Sequence, residues 1–284
     1  MSAAGRAPLT VAAVQLNATG DKAANIARAE ELVAEAAARG ARVVLLPEKW
    51  TGFGSPEILR ACAERLDDGD SVAAMQGWAR EHGIHLIGGS ITERVDGADK
   101  LFNTCVAFDP HGDIAGVYRK IHLFDVDVGG RRYRESDLEE GGEEIVVVEV
   151  DGWSVGLSIC YDVRFPELYR ILALRGAEVI VVPAAFTAVT GRDHWELLLR
   201  ARAVENQAFV VAAGDWGEHP GGKRTYGHSM VVDPWGMILA ARPEGDGVVV
   251  ASLDRERLEE IRATLPALAN RRPGAYRWPS PVEA

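Results

Sequence analysis

A chain of 284 residues with 47% hydrophobic, 26% charged and 7% aromatic residues has the composition of a globular protein with a sizeable core, which excludes disordered and fibrous classes. A formal net charge of -11 without an extended lysine and arginine stripe sets up a field that repels phosphate and anionic lipid. Nucleic acid and membrane partners are therefore not expected, and any anionic ligand needs local cations. Cys62, Cys105 and Cys160 form an odd set with no short paired spacing, the N-terminus MSAAGRAPLT lacks an apolar signal core, and no uninterrupted apolar run approaches a membrane span; reduced thiols in a soluble, cytoplasmic protein are expected.

In chain order, residues 9–16 form a β-branched run, 21–38 carry helical periodicity and 43–47 are an apolar strand. A helix is expected over 70–82, then strands over 84–92, 104–109 and 114–118, and two more over 145–150 and 153–159 flanking the Asp151-Gly152 turn. Beyond Cys160, the pattern predicts a helix over 165–175, a strand over 178–183, a helix over 193–207 and a strand over 208–213. Strands at 228–233, 237–241 and 247–253 follow as a meander, then a helix over 254–263 and an irregular Pro-rich tail over 266–284. No linker, charge block or repeat divides the pattern, so a single domain spanning 1–284 is expected, with its core over about 9–265. Helices interspersed among many strands imply a layered α/β sandwich with both sheet faces covered.

Three residues stand where chemistry is expected. Cys160 ends the run SVGLSI and precedes a helix, so its thiol sits near backbone N–H groups and a positive helix end, a setting for a thiolate nucleophile; the structural alternative is a small buried apolar residue, which is how Cys62 and Cys105 read. Glu48 follows the apolar run VVLLP, where a strand emerges into a loop, and could take the thiol proton and return it to a leaving amine; alone it would read as a solvated loop acid. Lys120 closes the run IAGVYR and could stabilise an oxyanion, or serve as an edge-strand gatekeeper. His122, His194 and His228 are candidates for a Cys-His pairing or for hydrogen-bonded structural roles, and no HxH or HxxxH spacing suggests a metal.

Together, LLPEKW at 45–50, YRKIHLFD at 118–125 and ICYDVRFPEL at 159–168 resemble, in order and spacing, the three signature segments of the carbon-nitrogen hydrolase (nitrilase) superfamily. The likeness runs from about residue 9 to about 276, and its later segments, 185–207 and YGHSMVVDPWG at 226–236, are most similar to the small-amidase branch of omega-amidases and deaminated-glutathione amidases. The resemblance implies a four-layer αββα sandwich, a homodimer or larger homo-oligomer, no metal and no organic cofactor. It implies Glu48 as general base and acid, Lys120 as oxyanion stabiliser and Cys160 as nucleophile, with the backbone N–H of Tyr161 completing the oxyanion hole. The segment RES at 134–136 matches a second, assisting glutamate and points to Glu135, with Glu139 and Glu140 nearby. Arg164, Phe186 and Thr190 match positions that line the pocket in this branch, and His194 is a further wall candidate.

An arginine four residues beyond the nucleophile can hold a substrate carboxylate in bidentate fashion, or pair with Asp162, Glu167 or another acid. The reaction so implied is cleavage of a small carboxamide, the ω-amide of a short α-keto acid or of deaminated glutathione, to carboxylate and ammonia through a cysteine thioester. An N-carbamoyl hydrolase or a nitrile hydrolase would use the same triad. A catalytically silent binding or scaffold protein of this fold is the alternative of another class, against which the intact triad argues.

Overall fold

The computed structural model describes residues 8–277. Its first half runs β1 (Leu9–Gln15), α1 (Lys22–Ala38), β2 (Val43–Leu45), α2 (Pro56–Cys62), α3 (Asp70–His82), β3 (His85–Ile87), β4 (Ile91–Glu93), β5 (Phe102–Phe108), β6 (Ile114–Arg119), β7 (Asp125–Val128) and β8 (Arg131–Arg134). The second half runs β9 (Val147–Val150), β10 (Trp153–Leu157), α4 (Pro166–Leu174), β11 (Val179–Ala184), α5 (Ala188–Asn206), β12 (Phe209–Gly214), β13 (Trp216–His219), β14 (Lys223–Tyr226), β15 (Ser229–Val232), β16 (Ile238–Arg242), β17 (Gly247–Leu253) and α6 (Arg255–Thr264).

Two mixed sheets result. One has the order β17-β1-β2-β3-β5-β4, with β6 on the other edge of β5; the second has the order β16-β15-β12-β11-β10-β9. Alternation along the strands sorts side chains to two faces. Val11, Ala13, Val43, Leu45 and Ile87 meet Val155, Leu157, Val179, Val181, Val211 and Ala213 between the sheets. Ala12, Val14, Val44, Leu46 and Leu86 face outward onto α1 and α3. Helices α4 and α5 cover the second sheet through Leu168, Leu172, Trp195 and Leu199. The layers are αββα, as expected.

Helix α1 shows why such a layer forms. Asp21 caps it by accepting the Ala24 N–H at 3.1 Å, and Ala29, Leu32, Val33 and Ala36 recur at helical spacing on the buried face. Burying Leu32 and Val33 contributes about 1.5–3 kcal/mol each.

Several elements depart from the sequence expectation. The strand expected over 84–92 is two strands, β3 and β4, on the same edge of β5, interrupted at Gly88-Gly89. Gly89 has φ +62°, and a Cβ there would lie 2.0 Å from the Pro47 carbonyl oxygen, so only glycine allows the two loops to meet. Helix α5 begins at Ala188 rather than near 193, and Gly191 lies inside it, where a Cβ would stand 2.4 Å from Tyr226. Helix α2 and the hairpins β7–β8 and β13–β14 are additional. Both hairpins turn on glycine pairs with positive φ, Gly129-Gly130 and Gly221-Gly222, but each strand is only four residues long, and although Asp125-Val126-Asp127-Val128 alternates, the other three strands are largely polar and do not. Of the tail expected to be irregular, the described part holds one short 3-10 turn, Pro273–Ala275; residues 278–284 lie outside the described residues. No helix among the described residues is long and apolar enough to cross a membrane.

Candidate active site

The site lies where the loops following β2, β6, β8 and β10 converge. Glu48 emerges from β2 through Leu46-Pro47, and this loop is pinned by the Gly89 turn: the Ser90 N–H donates to Pro47 O at 3.0 Å, and Ser90 Oγ accepts the Lys49 N–H at 3.0 Å. Three donors hold the Glu48 carboxylate. Its Oε1 receives Lys120 Nζ at 2.9 Å and Asn103 Nδ2 at 2.8 Å, and its Oε2 receives the Ala185 N–H at 2.7 Å. Lys120, just beyond β6, is held in backbone register by its N–H to Asn103 O at 2.9 Å and by its carbonyl, which accepts from Gly142 at 2.9 Å.

Cys160 opens a 3-10 turn, Cys160–Arg164, between β10 and α4, and carries φ +46°, unusual for a side chain with a Cβ. Strain of this kind, of order 1–3 kcal/mol, persists only where the surroundings enforce it. Asp162 does so: its Oδ2 accepts the Ile159 N–H at 2.8 Å and the Tyr118 hydroxyl at 2.6 Å, and its Oδ1 meets His122 Nδ1 at 2.7 Å. His122 in turn stacks on Phe165 with 3.6 Å between ring centroids. Thus His122 braces the nucleophile turn instead of pairing with the thiol. The N–H of Tyr161, second in the turn, has no acceptor within the turn at that position.

The setting of the thiol differs from the expectation. Helix α4 starts six residues after Cys160, with Pro166 at its first turn, so the thiol does not stand on the first turn of that helix. Burial, then the adjacent Glu48 carboxylate, raise the thiol well above its ordinary range despite the opposing Lys120 charge. Burial and the neighbouring Glu48 thus favour the neutral thiol at Cys160.

Glu135 sits at the start of a 3-10 turn after β8, its side chain 20% exposed. Its Oε2 accepts Lys120 Nζ at 2.8 Å and the Phe124 N–H at 2.8 Å, while its Oε1 accepts Lys49 Nζ at 3.2 Å. Lys49 also pairs with Glu139 Oε1 at 2.7 Å. The result is an alternating buried chain: Cys160, Glu48, Lys120, Glu135, Lys49, Glu139. Burial opposes the charge on both lysines, but Glu135 with Glu48 for Lys120, and Glu135 with Glu139 for Lys49, outweigh it and raise both ammonium groups. Burial likewise opposes the Glu135 charge, yet Lys120 and Lys49 hold its carboxyl far below the usual carboxylate range. Glu139, where burial wins over Lys49, is raised.

These residues floor a cavity of about 870 Å³, whose walls include Tyr161, Phe186 and Thr190. Arg164 and His194 are not among its lining residues: the Arg164 guanidinium lies over the Phe186 ring at 5.1 Å and meets His194 Nδ1 at 3.2 Å, and His194 is exposed. The arginine's partner is thus neither an acid nor the cavity. Lys49, Asn103 and the rim cations Arg131, Arg132, Lys223 and Arg224 escaped the sequence reading, although the Lys in LPEKW and the RRYRES run at 131–136 were there as signals. The run Gly152-Trp153-Ser154-Val155-Gly156 has the GxSxG spacing of serine hydrolases, but Ser154 lies within β10 and not at a turn. Among the described residues, no group of three or more His, Cys, Asp or Glu side chains could hold a metal ion.

The carbon-nitrogen hydrolase family matches residues 10–263. The omega-amidase NIT2 of Danio rerio is 40% identical over 267 residues, covering 94% of this chain and 95% of that protein. A deaminated glutathione amidase of Synechocystis sp. is 40% identical over 273 residues, covering 93% and 98%. Among solved structures, the C. elegans NitFhit protein superposes with a TM-score of 0.86 at 34% identity over 96% of this chain and 67% of that one. Saccharomyces cerevisiae Nit3, a member of branch 10 of the nitrilase superfamily, does so with a TM-score of 0.84 at 34% identity over 93% and 97%. The chain belongs to the carbon-nitrogen hydrolase family. Within that family it is an amidase, acting on a non-peptide C–N bond.

Proposed function

We propose that the protein hydrolyses the ω-amide of a short α-keto acid, or an N-substituted amide of that acid such as deaminated glutathione, through a Cys160 thioester. The observation that carries this reading is Glu48, a buried carboxylate that binds the Lys120 ammonium at 2.9 Å and shares the cavity floor with the Cys160 thiol. Glu48 takes the thiol proton as sulfur attacks the amide carbonyl. Lys120 and the Tyr161 N–H receive the developing oxyanion, and Glu48 passes the proton to the leaving nitrogen as the C–N bond breaks. Water activated by Glu48 then attacks the thioester, releasing the acid and restoring the thiol. Glu135 is a positioning residue that anchors Lys120 from the side opposite Glu48. Phe186 and Thr190 form the substrate wall.

The 40% identity to both an omega-amidase and a deaminated glutathione amidase supports an amide of this class over an N-carbamoyl compound or a nitrile. The free cysteines suit a reducing cytoplasm. A homodimer or larger assembly is supported by an apolar patch of Leu197, Val204, Trp235 and Met237, where Leu197 is 66% and Trp235 is 52% exposed.

The test is Cys160→Ala, assayed for product release from ω-amides. Loss of the nucleophile is expected to lower kcat by about 10⁴-fold or more. Wild-type turnover by the variant would refute the thioester route.

A further inference from the structure

Opposite the floor, the cavity opens between the β7–β8 and β13–β14 hairpins, and the residues there are basic: Arg131 and Arg132 on one, Lys223 and Arg224 on the other. None of the four has a carboxylate within 4.0 Å among the described residues, whereas Arg134 of the same strand is paired with Asp127 at 2.8 Å. The acids of the floor are already committed to Lys120 and Lys49. Asp137 also lines the cavity but pairs with none of these cations.

The two hairpins form one rim: Arg131 Nη1 donates to Gly221 O at 3.1 Å, and a Cβ on Gly222 would lie 3.1 Å from Arg131 Nη2. Lys223 is tied to the loop after β2, donating to Gly54 O at 2.6 Å and lying 5.4 Å above the Phe53 ring. Gathering like charges costs free energy unless an anion comes between them. Lys223 is lowered below the usual lysine range chiefly by burial and then by Lys49, with Arg131 adding to this against the pull of Glu135 and Glu139. In a protein of net charge -11, four cations without a carboxylate partner on the lining of its reactive cavity are a place for an anion.

Which end of the substrate would reach it follows from the order of the reaction. The amine must leave while the acyl group is still bonded to Cys160, so the amine portion faces the mouth and the acyl portion faces the walls. A cavity of about 870 Å³ is far larger than a primary amide of a short keto acid fills, and a second opening lined by Arg131, Tyr133, Thr187 and Arg224 continues outward from it.

We propose that Arg131, Arg132, Lys223 and Arg224 form a carboxylate-binding site for the amine portion of the substrate, so that this enzyme prefers N-substituted ω-amides whose leaving amine ends in a carboxylate. This rests on the hydrolysis proposed above. The rim would do two things: draw an anionic substrate through a repulsive field, and hold its far end while Glu48 and Cys160 act on the amide.

The experiment compares three ω-amides of α-ketoglutarate, formed with ammonia, with glycylglycine and with glycylglycine amide, which differ in length or in the terminal charge alone. Wild type is expected to show a kcat/KM about tenfold or more higher for the glycylglycine than for the glycylglycine amide derivative, the effect of a charge-assisted hydrogen bond, and to lose part of that preference in high salt. In Arg131→Gln/Arg132→Gln/Arg224→Gln the ratio should fall towards one, and Arg131→Lys/Arg132→Lys/Arg224→Lys should keep most of it. Because the ratio is measured within each variant, a general loss of activity does not move it. Equal rates for the two glycylglycine derivatives in wild type, or a ratio unchanged in the glutamine variant, would overturn the rim site while hydrolysis of the ammonia-derived amide left the proposed reaction standing. Hydrolysis of none of the three would overturn both.

Discussion

Replacing Lys49 by methionine tests the alternating charge chain directly. Its Nζ stands 3.2 Å from Glu135 Oε1 and 2.7 Å from Glu139 Oε1, and its side chain is 4% exposed. Methionine fills a similar volume but leaves Glu139 buried without a cation and Glu135 with Lys120 alone. Removing one partner of a buried ion pair costs about 3–5 kcal/mol. Protonation of Glu139, already raised by burial, offsets about 1.4 kcal/mol for each pH unit by which its carboxyl rises above the working pH. A net loss of about 2–4 kcal/mol, or a Tm lower by roughly 5–15 °C, is expected.

Activity should respond with a definite sign. Glu135 is held below its ordinary range by Lys120 and Lys49, so its contribution is present above that range and is lost as pH falls through the lowered value. Without Lys49 its carboxyl rises, and the acidic limb of kcat/KM should move to higher pH. The double variant Lys49→Met/Glu139→Gln removes both the cation and the orphaned acid and should recover most of the stability but not the pH profile, because Glu135 still lacks Lys49. Urea unfolding at pH 7 and a pH–rate profile for the single and double variants measure both. Unchanged stability and an unchanged acidic limb in Lys49→Met would refute the electrostatic role assigned to this lysine.

Four other outcomes are expected. Because burial and Glu48 keep Cys160 protonated, its alkylation by iodoacetamide should accelerate about tenfold per pH unit through the neutral range and not level off near pH 7; a plateau there, followed by mass spectrometry, would mean a preformed thiolate. Cys105, buried with its thiol pushed up to about 12, should stay unlabelled in the native protein. Gly89→Ala should destabilise by about 2–4 kcal/mol in urea unfolding and lower kcat, since its Cβ would meet Pro47 O at 2.0 Å in a left-handed conformation and displace the loop that carries Glu48. Leu197→Glu/Trp235→Glu should shift the sedimentation coefficient towards that of a single chain if the exposed patch is an assembly surface; an unchanged value would place the interface elsewhere.

The sequence carried the layered plan because burial imposes periodicity. Apolar runs such as 43–47 and 178–183 have to lie in a covered sheet, and the spacing of Ala29, Leu32, Val33 and Ala36 has to form a buried helix face, whatever else the chain does. Helix α3 fell on residues 70–82 as expected because Gly69 and Gly83 bracket a continuous periodic segment. Hairpins β7–β8 and β13–β14 left too short a pattern: their glycine turns were visible, but their four-residue, largely polar strands border a cavity instead of filling a core.

The site divides along the same line. Glu48, Lys120 and Cys160 could be singled out because each ends an apolar run where a chain must leave a sheet, and motif order joined them. Whether Arg164 or the rim faced the cavity could not be read from local pattern, because an arginine's direction depends on which rings and loops pack beside it. Here Phe186 and His194 hold Arg164 aside while two hairpins far apart in sequence place four other cations on the cavity lining. The protonation of Cys160 was decided in the same way. The sequence by itself determined the fold class and the three groups that meet at the floor, since hydrophobic periodicity and strand ends are local properties. Only the tertiary structure decided the charge state of the thiol, the chain of ions that fixes Lys120, and the cations that line the entrance, since electrostatic energy depends on distances and burial that no short segment contains.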